Sequence, residues 1–470
     1  MKRIYILILP LILLVSLSSL YAHDHEDIKF TTEAQIKKDL PKITGVSNVG
    51  TSFWFAIPPA YIANSPGDFI KVFITSPYET NVELRIPATD KYLVKKTIPN
   101  DVIVFDLAPN EGQPFVFQYN NEDPRPADIW DGRGIHVTSG DPIVVYVVVR
   151  YQYTSDGFLA LPQSSLGNRY VGAPYSGRPV SGVRHLPNML TVVGTQDNTI
   201  VDVKVGGNDI TVLAIDGGLE KRPGETHRWR IDEGDVIVMM SNTGAATLAG
   251  TGVTGNKPIA VLSGHYCADI PVNVRACDYN VEMDLPMYTW GKHYHVPKTH
   301  NRLNPGLLRI FAAQDNTIIY RNGFVSGIIP EGGGGPFNYG WIETRVLPIG
   351  NQPNVALYSG NKPISVTYYN PGQQDDNVPS DPYSMLVTPI EQYQNEITFC
   401  TPATNGGKRF AQNLIMVVYE ADQFGNPPED MEFGEVESGE TSWSQFSARF
   451  GQAPRVFYTL GSNENQDIDP

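Results

Sequence analysis

The pentapeptide Gln196-Asp197-Asn198-Thr199-Ile200 recurs letter for letter as Gln314-Asp315-Asn316-Thr317-Ile318. Each copy follows one apolar run and leads into another. This placement predicts a hairpin turn in which Asp and Asn bond back to their own main chain. A second motif, Gly255-Asn256-Lys257-Pro258-Ile259, recurs as Gly360-Asn361-Lys362-Pro363-Ile364. Its glycine and proline predict another turn.

A third motif consists of a proline, a glycine five residues later and an aromatic residue three positions further on. It occurs as Pro162, Gly167 and Tyr170, as Pro286, Gly291 and Tyr294, and as a decayed copy at Pro389, Gln394 and Ile397. Gly50 and Phe53 keep its second half. The three motifs return in the same order after about 115 residues, which is the size of a small β-sandwich.

Period-two alternation supports a fold built of strands. Val82, Leu84 and Ile86 alternate with polar residues, and so do Val201 to Val205, as half-buried strands require. We therefore predict an all-β protein made of tandem β-sandwich-like repeats. The predicted repeats are residues 46–163, 164–287, 288–390 and 391–470, the last being degenerate or partial.

The amino terminus predicts export. Lys2 and Arg3 precede an apolar run to about Leu20, and Ala22 comes before a hydrophilic stretch, as in a secretory signal peptide covering residues 1–22. A retained membrane anchor is the alternative interpretation. Residues 23–45 form a predicted linker, and no later run is long enough to span a membrane. We expect a secreted or cell-surface protein.

The net charge of −15 argues against nucleic acid as a partner, because two polyanions repel each other. The sequence contains three cysteines. In an oxidising compartment Cys267 and Cys277 are the expected disulfide, and Cys400 is left as a buried small residue.

Several segments resemble the amino-terminal domain family of the IgG Fc-binding protein. They are Ser155–Pro162, Leu166–Tyr170, Ser263–Pro271, Cys277-Asp278 and Thr289–Lys292. The resemblance covers roughly residues 46–400. It implies a cysteine pair at Cys267 and Cys277 and an extracellular module that binds a protein or glycoprotein without catalysis. The chain lacks von Willebrand D-type modules, so the resemblance does not extend to immunoglobulin binding.

Three connections differ most between the repeats while their flanking residues stay alike. Rigid strands that carry variable loops are where β-sandwiches place recognition. The candidate binding residues in these connections are Ser155, Asp156, Asp269, Asp375, Asp376 and Asn377. The acids near Asp375 could also suit Ca²⁺, but their spacing matches no established calcium loop.

The alternative function is a secreted metal-dependent hydrolase with zinc at His293, His295 and His300. His265 and Cys267 could join such a site. The positions that match His293 and His295 in the preceding repeat are Arg169 and Val171, so the repeat itself needs no metal there.

Other sources of chemistry are weaker. A cleaved terminus beginning His23-Asp24-His25 could chelate Cu(II) or Ni(II). No nucleophile elbow or phosphate loop is present. We therefore expect a non-enzymatic binding or adhesion module without a cofactor, and a structural coat component is a third possibility.

Overall fold

The computed structural model describes residues 47–393 with short gaps, and beyond them four strands. The gaps are residues 63–67, 100, 119–124, 152–153, 177, 180–184, 276, 298, 300–301, 331–339 and 346–354. The predicted signal peptide, the linker, Cys400 and most of the fourth repeat therefore lie outside the described residues. The boundaries of the four repeats stay a prediction.

The described chain is almost entirely β-structure, which confirms the predicted fold class, and three large sheets dominate it. Sheet 1 contains β1 (Gly50–Phe55), β3 (Phe69–Ser76), β4 (Asn81–Ile86), β5 (Lys91–Lys96), β6 (Asp101–Leu107), β9 (Ile135–Tyr151) and β10 (Thr154–Leu159). Sheet 2 contains β8 (Asp128–Trp130), β11 (Gly167–Val171), β14 (Asn188–Gly194), β15 (Thr199–Lys204), β18 (Thr226–Ile231), β19 (Val236–Met240), β20 (Gly252–Ala268) and β21 (Asp278–Met283). Sheet 3 contains β22 (Gly291–Pro297), β23 (Leu307–Ala312), β24 (Thr317–Arg321), β25 (Phe324–Ile329), β26 (Trp341–Arg345), β27 (Val355–Asn370) and β28 (Tyr383–Val387).

Smaller elements complete the described chain. The two-stranded pairs are β2 (Tyr61–Ile62) with β7 (Phe117–Gln118), β12 (Arg178–Pro179) with β13 (His185–Leu186), β16 (Leu213–Ile215) with β17 (Leu219–Lys221), β29 (Leu414–Val418) with β32 (Phe457–Gly461), and β30 (Glu432–Glu437) with β31 (Glu440–Gln445). One helical turn, α1 (Pro109–Gly112), and the 3-10 turns Pro87–Thr89, Gln163–Ser165, Met287–Thr289, Gln373–Asp375 and Ile390–Gln392 connect them.

The three large sheets share one strand order. It reads β5-β4-β9-β3-β6 in sheet 1, β18-β15-β20-β14-β19 in sheet 2 and β25-β24-β27-β23-β26 in sheet 3. In each sheet the longest strand also pairs with two further strands: β9 with β1 and β10, β20 with β11 and β21, and β27 with β22 and β28. The long strand is therefore the central strand of each sheet.

The second sequence motif is not a turn, contrary to our prediction. Gly-Asn-Lys-Pro lies inside the long strands β20 and β27 in both copies. The pentapeptide is a turn, but it does not close a hairpin. Gly194 pairs with Ile259 and Val201 with Gly255, so β14 and β15 follow one another along the same strand, β20. Both motifs therefore lie where one partner of the long strand ends and the next partner begins.

The two motifs bond to each other in the same way in sheets 2 and 3. The Lys257 amine donates to the Asp197 carbonyl at 2.5 Å, and the Ile200 N–H donates to the Asn256 amide oxygen at 2.8 Å. Lys362 and Asn361 make the same two bonds, to Asp315 and Ile318. The extra residues that the long strand carries at this point form a β-bulge, and a β-bulge bends a strand and increases its twist.

The third motif joins consecutive sheets. A Cβ added to Gly167 would lie 2.6 Å from the Pro286 Cβ, and one added to Gly291 would lie 2.4 Å from the Pro389 Cβ. Gly50 and Pro162 show the same close approach. Each glycine therefore leaves the space in which the proline that precedes the next sheet is packed.

The tyrosine of this motif bonds to the motif glycine and to the long strand of the same sheet. The Tyr170 hydroxyl accepts the Gly167 N–H at 2.9 Å and donates to the Ile259 carbonyl at 2.7 Å. Tyr294 bonds Gly291 and Ile364 in the same way. Because both hydroxyls are buried, they satisfy main-chain groups that water cannot reach.

Apolar packing also crosses the sheet boundaries. One core cluster combines residues of sheets 1 and 2, among them Phe53, Val147, Leu262 and Tyr279. Sheets 2 and 3 meet around Arg309, whose buried guanidinium lies 4.4 Å from the ring centres of both Tyr175 and Trp341. It also donates to the Pro174 carbonyl at 3.0 Å, so these sheets are held together by stacking as well as by hydrogen bonds.

We predict that Gly167→Ala destabilises the protein by about 1–3 kcal/mol, because the new methyl group collides with Pro286. Adding Pro286→Ala to this variant should recover part of the loss, because it removes the colliding ring atoms. Urea unfolding of both single variants and the double variant measures the coupling. Additive effects would show that the glycine and proline do not pack as described.

Candidate functional site

The three variable connections lie next to one another. The first, Thr154–Asp156, is predicted as a loop but is the start of β10 and pairs with the end of β9; it is grouped with the two loops because it lies at their base. The second is residues 269–277 between β20 and β21, and the third is residues 371–382 between β27 and β28. The Gly372 N–H donates to the Ile270 carbonyl at 2.7 Å, which joins the third loop to the second. The three loops, with the adjacent residues 302–304, are named the loop surface.

A carboxylate joins the first loop to the second. The Thr154 hydroxyl and the Ser155 N–H both donate to the same Asp278 oxygen. The Val281 N–H donates to Asp156 at 2.8 Å, which adds a second bond between the same strands. The loops therefore belong to different sheets but share one hydrogen-bonded base.

The predicted disulfide is present. Cys267 and Cys277 are joined at 2.01 Å and close the second loop. Just before it, the buried His265 accepts the Cys267 N–H at Nδ1 and contacts the Ser176 carbonyl through Nε2 at 2.9 Å. Both ring nitrogens of His265 therefore contact main-chain groups, and the sulfur of Cys267 is in the disulfide.

The predicted acids of the third loop are paired within the chain. Asp376 forms a buried ion pair with Arg302 at 2.9 Å, and Asp375 pairs with Arg345 at 2.9 Å. Burial would raise the pKa of Asp376, but the N–H groups of Asn304, Leu303 and Val378 and the Arg302 charge lower it. These carboxylates hold the loop in place and offer little to a calcium ion.

The other predicted binding residues divide between buried and exposed positions. Asp269 is buried, and Asp156 is half-buried and bonded to β21. Ser155 and Asn377 are exposed, and Asn377 has a left-handed φ of 58°. Of the six, therefore, only these two present their side chains freely at the loop surface.

Sequence reasoning missed the residues that the loop surface exposes most. Leu303 is 72% exposed and Val272 is 39% exposed. Arg275, Gln373 and Gln374 are exposed beside them. Two apolar side chains surrounded by polar ones resemble the composition of a protein interface. No sequence signal separates these leucine and valine residues from those of the core.

Buried carboxyl groups lie at the two ends of β21. Asp278 and Asp284 are 2% and 3% exposed. Burial raises the pKa of Asp284 to about 8, although the Ser263 hydroxyl donates to it. Burial likewise raises the pKa of Asp278, and the bond from Thr154 opposes this shift. Asp284 therefore carries a proton at a pH where ordinary aspartates have lost it.

His293 and His295, the described members of the predicted zinc site, lie in no cluster of metal-ligating side chains among the described residues. His293 pairs with Glu391, with 2.9 Å between Nδ1 and Oε1. His295 lies on the same strand, whereas His300 falls outside the described residues. Within the part of the chain that the structure covers, no group of three His, Cys, Asp or Glu residues could hold a metal ion. The same part contains no helix that is long and apolar enough to cross a membrane.

We predict that Asp284→Asn flattens the pH dependence of stability. The folded state holds the proton of Asp284 to about pH 8, whereas the unfolded chain releases it near its ordinary pKa of 3.8. The stability of the wild type should therefore fall as pH rises from about 4 to about 8. The variant lacks this loss of stability. Its free energy of unfolding should therefore exceed that of the wild type by a margin that grows to the order of a few kcal/mol at pH 8.

Urea unfolding at pH 4, 6 and 8 measures this effect. Asp209→Asn, at an exposed position, controls for the loss of one negative charge. An Asp284→Asn variant whose stability follows the wild-type curve at all three pH values would contradict the prediction.

Comparison with known proteins agrees with the resemblance noted in the sequence. The family model described as IgGFc binding protein matches residues 156–465. The human IgGFc-binding protein is 31% identical over 147 residues, which is 31% of this chain and 2% of the human protein. The chain thus spans a small part of that relative's length. Both names point to a binding protein rather than to an enzyme. The chain belongs to the IgGFc binding protein family.

Proposed function

We propose that the protein is a secreted, non-enzymatic module that binds an extracellular protein or glycoprotein through the loop surface. The observation that carries this proposal is the meeting of three loops, from three sheets, on one hydrogen-bonded base. The family supports a protein partner.

The loop surface has the properties that recognition requires. Its base is held by the Gly372–Ile270 bond, the disulfide and the Arg302–Asp376 pair, so little ordering is needed on binding. Leu303 and Val272 supply apolar contact area, and Arg275 supplies a polar edge. The side chains of Ser155 and Asn377 extend this edge, whereas Asp156, Asp269, Asp375 and Asp376 support it from within.

Location outside the cell is supported by chemistry at two places. The apolar amino-terminal run with Lys2 and Arg3 before it has the composition of a signal peptide. The Cys267–Cys277 disulfide belongs to an oxidising compartment. We propose that the mature protein is secreted or held at a cell surface, in an adhesion or matrix role.

The proposed partner class is tested with three immobilised proteins: an immunoglobulin Fc fragment, a mucin and a purified matrix glycoprotein. Fc is included because the human relative is named for binding it. Each protein is used with and without its glycans, so that recognition of protein and of sugar can be separated.

We predict that Leu303→Asp and Val272→Asp each weaken binding about tenfold or more, because a charge in an apolar contact must be desolvated. Val94→Asp is the matched control, since Val94 is 50% exposed on the edge strand β5 of sheet 1. Biolayer interferometry gives the dissociation constants. Binding to none of the three proteins, or equal binding by the loop variants and the control, would count against the proposal.

A further inference from the structure

Each large sheet presents one side chain, two residues after the motif glycine, to the 3-10 turn that follows the sheet. In sheet 1 this residue is Ser52, whose hydroxyl donates to the Gln163 side-chain oxygen at 2.8 Å. In sheet 3 it is His293, which pairs with Glu391. Glu391 Oε1 also accepts the Lys292 N–H at 2.8 Å. In both sheets the turn supplies a polar partner.

Sheet 2 departs from this pattern. The equivalent residue is Arg169, and the turn that follows the sheet carries Met287 and Tyr288. Tyr288 lies where sheet 3 has Glu391, two residues after the motif proline, and its hydroxyl donates to the Ser165 carbonyl at 2.8 Å. Arg169 is exposed and forms no ion pair or side-chain hydrogen bond with any described residue.

An open cleft of about 390 Å³ lies beside Arg169. Arg169 and Asp202 both pair with Thr254, and Val171 and Lys204 both pair with Gly252, so these residues form two rows on one sheet face. Gly252 leaves the middle of the second row empty, whereas Leu357 occupies the equivalent place in sheet 3. Met287 and Ala313 line the side toward sheet 3.

The charge in the cleft is positive. Asp202 is already matched by Arg228 through two bonds of 2.6 and 2.7 Å. Arg169 and Lys204 therefore remain as two exposed cations, in a protein whose net charge is −15. A guanidinium can bind a carboxylate through two parallel hydrogen bonds.

We propose that this cleft binds an acidic side chain of a polypeptide partner, with its carboxylate on Arg169 and with Lys204 as the second cation. Glu391 is the internal precedent, because it places a glutamate carboxylate on the equivalent residue of sheet 3. The inference rests on the proposed function only in taking the partner to be a protein. The cleft lies along the part of β20 that is farthest from the loop surface.

The test uses a fluorescein-labelled hexaglutamate peptide, with the hexaglutamine peptide as its uncharged match. Fluorescence anisotropy should show saturable binding of hexaglutamate alone, weakening as salt screens the exposed charges. Arg169→Ala should weaken it about ten- to a hundredfold, the range for loss of a hydrogen bond to a charged group. Arg169 is exposed, so circular dichroism and the melting temperature should stay at their wild-type values.

A second pair of variants tests the position of the carboxylate. Tyr288→Glu recreates the arrangement of sheet 3 and should block hexaglutamate, because the chain then supplies its own acid to Arg169. Tyr288→Gln has nearly the same size without the charge, and it should bind within about threefold of wild type.

Three results would overturn the proposal. They are equal affinity for the two peptides, unchanged hexaglutamate binding by Arg169→Ala, and binding of glucuronate without binding of hexaglutamate. Leu303→Asp separates this site from the loop surface, since it should leave hexaglutamate binding unchanged. Peptide binding in a protein that fails to bind Fc, mucin and matrix glycoprotein would refute the proposed function alone.

Discussion

A lysine amine and an asparagine amide hold each of two sheets together at the point where its longest strand bends. In sheet 2, Lys257 and Asn256 bridge from β20 to the interrupted partner strand, and sheet 3 repeats both bonds. A strand that bends exposes main-chain groups unless its partner is interrupted at the same place. The two recurring motifs satisfy this requirement together, and the positions of the remaining strands follow from it.

The bend also determines where recognition can occur. One half of each long strand pairs with the strand that carries the motif glycine (β1, β11 or β22), and the other half pairs with the strand that closes the sheet (β10, β21 or β28). The connection into the closing strand therefore leaves every sheet at the same relative position. Because the motif prolines pack on the motif glycines, consecutive sheets keep a constant relation, and three such connections meet. A surface built of three loops thus arises from local motifs that are far from it.

The sequence predicted the class of fold and the disulfide, because recurring motifs and paired cysteines are local signals. It did not distinguish a turn from a bend inside a strand, since Gly-Asn-Lys-Pro has the same local preferences in both. The difference depends on Asp197 and Asp315, whose carbonyls accept hydrogen bonds from lysines 60 and 47 residues further along the chain. The location of the variable loops was predictable, but the pairing of Asp375 and Asp376 with Arg345 and Arg302 was not. Such pairs form only when separate strands come together. Arg169 could have been found from sequence by comparing each motif position with the turn that follows its sheet.

The disulfide and the cross-loop hydrogen bonds have a consequence for resistance to proteolysis. A protease must draw an extended stretch of chain into its cleft, and a loop that cannot detach resists this. The second loop is closed by Cys267–Cys277 and fastened to its neighbour through Ile270, while the third is anchored by Arg302 and Arg345. A protease should therefore cut this chain elsewhere before it cuts the segments of the loop surface.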